Sequence, residues 1–440
     1  MSKTLHLVSL GCTKNLVDSE IMLGRLQDYQ ITNDPVNADV IIVNTCGFIE
    51  VAKEESISTI LELHQLRKED SLLVVAGCLT ERYKEELKSQ MPEIDIFTGV
   101  GDYERIDELI SLKQSSFTPE VYLQSEKSQR VITGSNYHAY IKISEGCNQN
   151  CSFCAIPSFK GRLQSRKIES IVAEVESLVE SGFCDFSFIS QDSSSYGRDF
   201  GLKDGLIELI EAVENIDGVK SARVLYLYPS TTSFELIDKI AESKIFQTYY
   251  DIPIQHIDNQ VLKVMRRGFG EKKTKELLFR MREKEGSFVR TSLIAGHPNE
   301  SDEAFENLKQ FLREFSFDRI NIFSYSNEET TEAFNLPQTP AEVIELRTNE
   351  LEEIAKESMQ KSLESLVSER LTVAVDGESS EHEYLLSARP LKWAVEIDGE
   401  VLINDSNDFQ VSIGECYEVE ITEVAGEYPI AKIVARASGD

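Results

Sequence analysis

Nine times between residues 3 and 323 a short apolar run closes on a turn residue, a cysteine or a small polar residue, and most of these runs are followed by a helix-length stretch. Such alternation dictates parallel β/α units, because a parallel strand pair needs a crossover long enough to hold a helix. The first three runs are KTLHLVSLGC (3–12), ADVIIVNTCGF (38–48) and SLLVVAGCLT (71–80), and they predict an open parallel α/β domain over residues 1–125. After a polar linker, EKSQRVITGS (126–135), six more follow: AYIKIS (139–144), DFSFIS (185–190), ARVLYL (222–227), TYYDIP (248–253), VRTSLI (289–294) and DRINIF (318–323). Six units are too many for a small doubly wound domain and predict a partial β/α barrel over residues 135–365. Beyond a charged helical stretch at 343–370, short alternating segments (LTVAVDG, YLLSARP, KWAVEIDGEVLIN, CYEVEITEVAG, PIAKIVA) predict a small β-barrel over residues 368–440.

Ligand chemistry in parallel sheets collects at the carboxyl ends of the strands. Cys12, Cys46 and Cys78 each stand at such an end. One cysteine there is usually a small buried hydrophobe. Three at equivalent ends predict a shared metal site, and their wide spacing excludes a local zinc-finger loop without naming the metal.

The first barrel strand runs directly into EGCNQNCSFCAIP (145–157), where Cys147, Cys151 and Cys154 form C-x3-C-x2-C. Structural disulfides are disfavoured: 440 residues bury their own cores, and neither an export signal nor an apolar run of membrane-spanning length stands in the chain, which predicts a reducing cytoplasm and no membrane. Zinc needs a fourth soft ligand, and neither Cys184 nor His138 has knuckle spacing. Three thiolates on a short loop suit three corners of a cubane 4Fe-4S cluster whose fourth iron stays open; zinc and inert thiols are the competing readings. Gly146 and Pro157 are expected to fix the wrapping loop.

This motif after the first strand of a β/α barrel resembles the radical S-adenosylmethionine superfamily, in which S-adenosylmethionine binds the open iron. Together with SLGCTKNLVDSE (9–20), VNTCGFIEVAKEES (43–56) and AGCLTERY (76–83), it resembles the methylthiotransferase family over nearly the whole chain. The resemblance implies that a cluster on Cys147, Cys151 and Cys154 reduces S-adenosyl-L-methionine to methionine and a 5′-deoxyadenosyl radical, which abstracts a substrate hydrogen. A second 4Fe-4S cluster, on Cys12, Cys46 and Cys78, would hold the sulfur to be delivered, and a second S-adenosylmethionine would give the methyl group. No side chain is needed as an acid/base catalyst, since the cofactors carry the hard step. An electron donor and a sulfur source are implied as partners.

The same resemblance places the backbone near Phe153 against adenine, with plain packing as the competing role. Ser190, Gln191 and Asp192 in FISQDSSSYG (188–197) are expected to meet the methionyl or ribose groups, against ordinary strand capping. Gln255 is expected to line the pocket; His256 either joins it or is a buried structural imidazole. In RTSLIAGHPNESDEAF (290–305) the family's usual aromatic and second glycine are replaced by His297 and Asn299, which puts the geometry of that loop in question and makes His297 a packing residue by expectation.

Charge bears on the substrate. The formal net charge is −31, and residues 371–440 hold 15 acidic against 4 basic residues. In the family the equivalent module resembles a TRAM domain that helps hold the substrate, which is tRNA in one branch; an acidic surface repels phosphates and attracts a basic protein. CTKNLVDSE, NTCGFIEVAKEES, DIPIQH and FSYSNEETTEA resemble the branch that acts on the β-carbon of an aspartate in ribosomal protein uS12, either free or in the small subunit. The alternatives are a tRNA adenosine methylthiotransferase and a non-enzymatic iron-sulfur scaffold that does not cleave S-adenosylmethionine.

Overall fold

The computed structural model describes residues 3–437. Five parallel strands form the first sheet, in the order Gln30–Ile31, Thr4–Ser9, Val40–Thr45, Leu72–Gly77, Ile96–Phe97. The three anticipated strands are its centre. The edge strands have two residues each, too few to print a period-two pattern. Val40–Thr45 is buried along its whole length, as a strand covered on both faces must be. Val40, Ile42, Val74 and Ala76 pack with Val17, Ile21 and Ile106, while the alternate Ile41, Val43, Leu73 and Val75 pack with Ile60, Leu63 and Leu87. All three cysteine-bearing turns therefore leave one edge of one rigid layer.

The central module is an open β/α barrel of six parallel strands in chain order: His138–Lys142, Asp185–Ile189 and Ser221–Val224 in one sheet, Tyr249–Asp251, Phe288–Ala295 and Arg319–Ser324 in the next. Backbone bonds from Ala222 N to Ile245 O (2.9 Å) and Leu227 N to Asp251 O (2.8 Å) carry the curvature across the gap. The third strand is shorter than expected: it stops at Val224, because Tyr226 takes a left-handed φ of 62° that a strand cannot continue through.

The last module is a closed five-stranded barrel, ordered Arg370–Glu378, Leu386–Pro390, Val401–Asp405, Tyr428–Arg436, Cys416–Ala425. Within KWAVEIDGEVLIN only the last part is strand; left-handed φ at Glu396 and Gly399 turns the first part, which lays Trp393 into the core shared with Phe288 and Tyr249. Tyr140 Oη donates to Val395 O (2.8 Å) and Arg389 pairs with Asp185 (2.8 Å), fastening this module to the central barrel.

Residues 126–135 have neither helix nor strand, as a linker should, yet they are strapped down. Arg130 pairs with Glu20 (2.6 Å) and Glu174 (3.0 Å), and Thr133 N donates to Glu20 Oε1 (2.7 Å). No helix among the described residues is long and apolar enough to cross a membrane.

Candidate active site

The three strand-end cysteines are neighbours. Gly11 has a φ of 83°, and a Cβ added there would lie 2.6 Å from Cys46 Cβ; one added to Gly47 would lie 2.7 Å from Leu79 Cα, next to Cys78. Cys46 N is held by Ser56 Oγ (3.2 Å), which in turn donates to Cys46 O (2.9 Å). The helix Thr13–Arg25 starts directly after Cys12, and Cys78 opens the helix Cys78–Arg82. Only a small residue can stand beside each cysteine, and that small residue is what lets the turns close on one another.

The second set is wrapped as its glycine and proline suggested. Gly146 turns at a φ of 75° against the Arg162 carbonyl, Cys147 N donates to Gly161 O (3.1 Å), and Pro157 sits in the first turn of the helix Ile156–Lys160. Ser152 N donates to Met265 O (3.1 Å) and Ala333 N to Ser152 O (2.8 Å), so the loop is pinned from both sides.

All six thiols are free. Among the described residues no three Cys, His, Asp or Glu side chains are close enough to share a single metal ion. A cubane cluster asks for a looser arrangement, since each thiolate ligates a different iron, and three thiols per set are the right donors for one. Burial pushes Cys147 and Cys154 up to about 12 and also raises Cys46 and Cys78. Thiols in such surroundings keep their protons until a cationic centre displaces them.

The elements that carry the two sets touch. The helix beginning at Cys78 packs on the helix Ile156–Lys160 that follows Cys154. Between them lies a buried charge network: Lys142 pairs with Asp18 and with Glu145 (2.9 Å), and Lys160 reaches both carboxylates at 3.4 Å. Burial opposes the charges of Glu145 and Lys160, but each is overcome by its partners, so the carboxyl lies well below its usual range and the ammonium well above. Glu328, from FSYSNEETTEA, reaches across to Arg82 (2.8 Å) and Lys53 (3.3 Å) on the helices that follow Cys78 and Cys46.

The other anticipated residues fall into two groups. Gln191 donates to Glu145, leaving its Oε1 buried without a partner; Gln255, at a φ of 69°, also has a buried, partnerless Oε1. A buried acceptor left so costs about 1–3 kcal/mol, which makes both available to a cofactor. Ser190 Oγ and Ser193 Oγ lie 3.2 Å apart, and Asp192 accepts from Ser195 Oγ (2.6 Å), Gln149 Nε2 (2.8 Å) and Ser194 Oγ (2.9 Å), capping its own turn. The Phe153 ring packs on Val261, Met265 and Ala304, edge-on to His297 at 6.1 Å. His256 Nδ1 accepts from Asp258 N (2.9 Å), and burial carries the ring down to about 3. His297 is wholly buried, edge-on to Tyr325 at 5.2 Å, and burial carries it down to about 4. Asn299 holds a φ of 69°, so the asparagine keeps the left-handed turn that a glycine would otherwise supply.

Sequence reasoning missed Arg267 and Tyr228. Arg267 Nη1 lies 3.3 Å from Cys151 Sγ with its guanidinium 4.1 Å over the Tyr228 ring, and Tyr228 Oη is 3.5 Å from the same sulfur. Neither has a local signal. Lys142 had one, as a lysine inside an apolar strand.

The chain matches the uncharacterized protein family UPF0004 over residues 4–99, the radical SAM superfamily over 141–312 and the TRAM domain over 367–434. It is 67% identical to the ribosomal protein uS12 methylthiotransferase RimO of Sulfurovum sp. (strain NBC37-1), covering 98% of each chain, and 54% identical to that of Campylobacter jejuni subsp. jejuni serotype O:23/36 (strain 81-176) over the whole of both. Among solved structures it resembles the radical S-adenosylmethionine methyltransferase TsrM from Kitasatospora setae, with a TM-score of 0.54, 16% identity, and 76% and 74% of the two chains covered, a likeness of fold alone. The radical SAM domain makes this an enzyme that depends on S-adenosylmethionine and iron-sulfur chemistry. The chain belongs to the ribosomal protein uS12 methylthiotransferase family.

Proposed function

We propose that the protein converts the β-carbon C–H of an aspartate in ribosomal protein uS12 to C–S–CH3, using two 4Fe-4S clusters and S-adenosyl-L-methionine. One cluster is held by Cys147, Cys151 and Cys154, the other by Cys12, Cys46 and Cys78. The observation that supports this reading is the packing of Cys78–Arg82, which opens on a cysteine of one set, against Ile156–Lys160, which follows the last cysteine of the other. When bound, the clusters and S-adenosylmethionine supply the radical that removes hydrogen, and the sulfur and methyl group that replace it.

The protein's own groups hold and orient. Residues 1–125 carry the sulfur-delivering set, 135–365 the radical-generating set, and 368–440 the surface that meets the substrate. Gln191 and Gln255 offer unspent acceptors to the amino and hydroxyl groups of S-adenosylmethionine; Ser190 and Asp192 shape that wall, and Phe153 backs the cluster loop. The buried Asp18–Lys142–Glu145–Lys160 network keeps the joint rigid and short of water. The acidic final module favours basic uS12, so encounter slows as salt is added. An electron donor and a sulfur source complete the cycle.

An anaerobic competition between uS12 and unmodified tRNA, read by mass spectrometry, tests the reading. Methylthiolation of a uS12 aspartate is expected. Modification of the tRNA alone would reject the substrate and leave the radical chemistry standing.

A further inference from the structure

Most charged side chains around the joint between the cysteine sets are paired: Asp18 and Glu145 with Lys142 and Lys160, and Glu328 with Arg82 and Lys53. Lys14, two residues after Cys12, makes no ion pair among the described residues. Its Nζ instead lies 3.4 Å from the centre of the Tyr226 ring. An aromatic face steadies a cation but accepts few of its hydrogen bonds, so the three N–H donors of the ammonium are largely unspent.

Tyr226 is built to hold that position. It keeps a φ of 62°, uncommon for an aromatic residue, because its N–H donates to Asp251 Oδ2 (3.0 Å) and its carbonyl accepts from Ser193 N (3.0 Å). Its hydroxyl lies 3.4 Å from Thr13 Oγ1, so a residue of the barrel rim reaches the turn that carries Cys12. A rim residue held at a left-handed φ thus keeps a cation that has no ion-pair partner beside the turn that carries Cys12.

We propose that Lys14 Nζ receives the side-chain carboxylate of the acceptor aspartate, with Tyr226 as the residue that positions Lys14. The β-carbon is bonded directly to the carboxylate carbon, so anchoring the carboxylate fixes the C–H to be replaced. A neutral amide or a nucleobase in the same place would leave the cation unmatched. The inference rests on the aspartate of uS12 being the acceptor.

The test is a binding cycle on the full, anaerobically reconstituted protein, using uS12 with its acceptor aspartate intact or changed to asparagine. The wild type is expected to bind the aspartate form roughly 10- to 100-fold more tightly, the range of a hydrogen bond between charged groups. Lys14→Met should bind the two forms equally, and Lys14→Arg should restore part of the preference. Tyr226→Leu should narrow it, while iron and sulfide content, which report the fold and the clusters, match the wild type. A Lys14→Met protein with wild-type iron content that keeps the full preference would overturn the assignment, as would a wild type without one. Failure of the wild type to methylthiolate any uS12 aspartate is a separate result, which rejects the function itself.

Discussion

Asp18, six residues after Cys12, and Lys142, on the first strand of the central barrel, form an ion pair with both side chains wholly buried. The partners belong to different modules, so the pair is part of the joint that holds one cysteine set against the other. Replacing a single member of such a pair leaves a charge in a dry place. Asp18→Ala is expected to destabilise the protein by about 3 kcal/mol, the lower end of the range for a broken buried pair, since Lys142 keeps Glu145. The double variant Asp18→Ala, Lys142→Met should recover part of that loss. Denaturant unfolding followed by circular dichroism measures both; an effect under about 1 kcal/mol would mean that apolar packing alone makes the joint.

Arg267 places a positive donor 3.3 Å from Cys151 Sγ. A cation beside a cluster sulfur favours the more negative, reduced state. Arg267→Met should therefore lower the midpoint potential of the cluster on Cys147, Cys151 and Cys154 by roughly 65–130 mV, one charge-assisted hydrogen bond expressed for a one-electron couple. Redox titration followed by electron paramagnetic resonance reads the shift, and an unchanged or raised potential would show that Arg267 serves the backbone of Pro253 instead.

Burial holds His297 at about 4, below the ordinary histidine value near 6.5. Between those values the unfolded chain takes up a proton that the folded one refuses, so this contribution to stability is lost as pH falls from about 6.5 towards 4. His256, held at about 3, acts in the same direction. Glu300, pushed up to about 7 by burial, acts in the opposite one: the folded state keeps its proton, and stability falls as pH rises towards 7. Glu300 is common to the wild type and His297→Phe and cancels in the comparison, while His256, which His297 also helps to hold down, rises in the variant and adds to its gain. The variant should gain on the wild type by about 3 kcal/mol between pH 7 and pH 4. Parallel stability curves would show that His297 is already charged when folded.

The parts of this fold legible in the sequence were those written within a few residues. Cys12, Cys46 and Cys78 announced a common edge because each ends an apolar strand, and Gly146 and Pro157 bracketed a loop whose shape is local. The left-handed turn at Asn299 also survived a departure from the usual residue, because asparagine tolerates that backbone. What was illegible depends on two modules meeting. Nothing near Asp18 foretells Lys142, and nothing near Arg267 foretells Cys151, more than a hundred residues away in each case. Tyr226 read as the continuation of a strand, since a positive φ imposed by Asp251 and Ser193 leaves no trace in a pattern of alternation.

The division of labour between the two cysteine sets is tested most directly by replacing Cys12, Cys46 and Cys78 together with alanine and measuring 5′-deoxyadenosine and uS12 methylthiolation in the same anaerobic reaction. This protein is expected to lose one cluster's iron and sulfide, still to form 5′-deoxyadenosine from S-adenosylmethionine under reduction, and to add no methylthio group. The complementary replacement of Cys147, Cys151 and Cys154 should abolish both products. Equal loss of 5′-deoxyadenosine from either triple variant, in folded protein that keeps its other cluster, would show that the two cysteine sets do not divide the work.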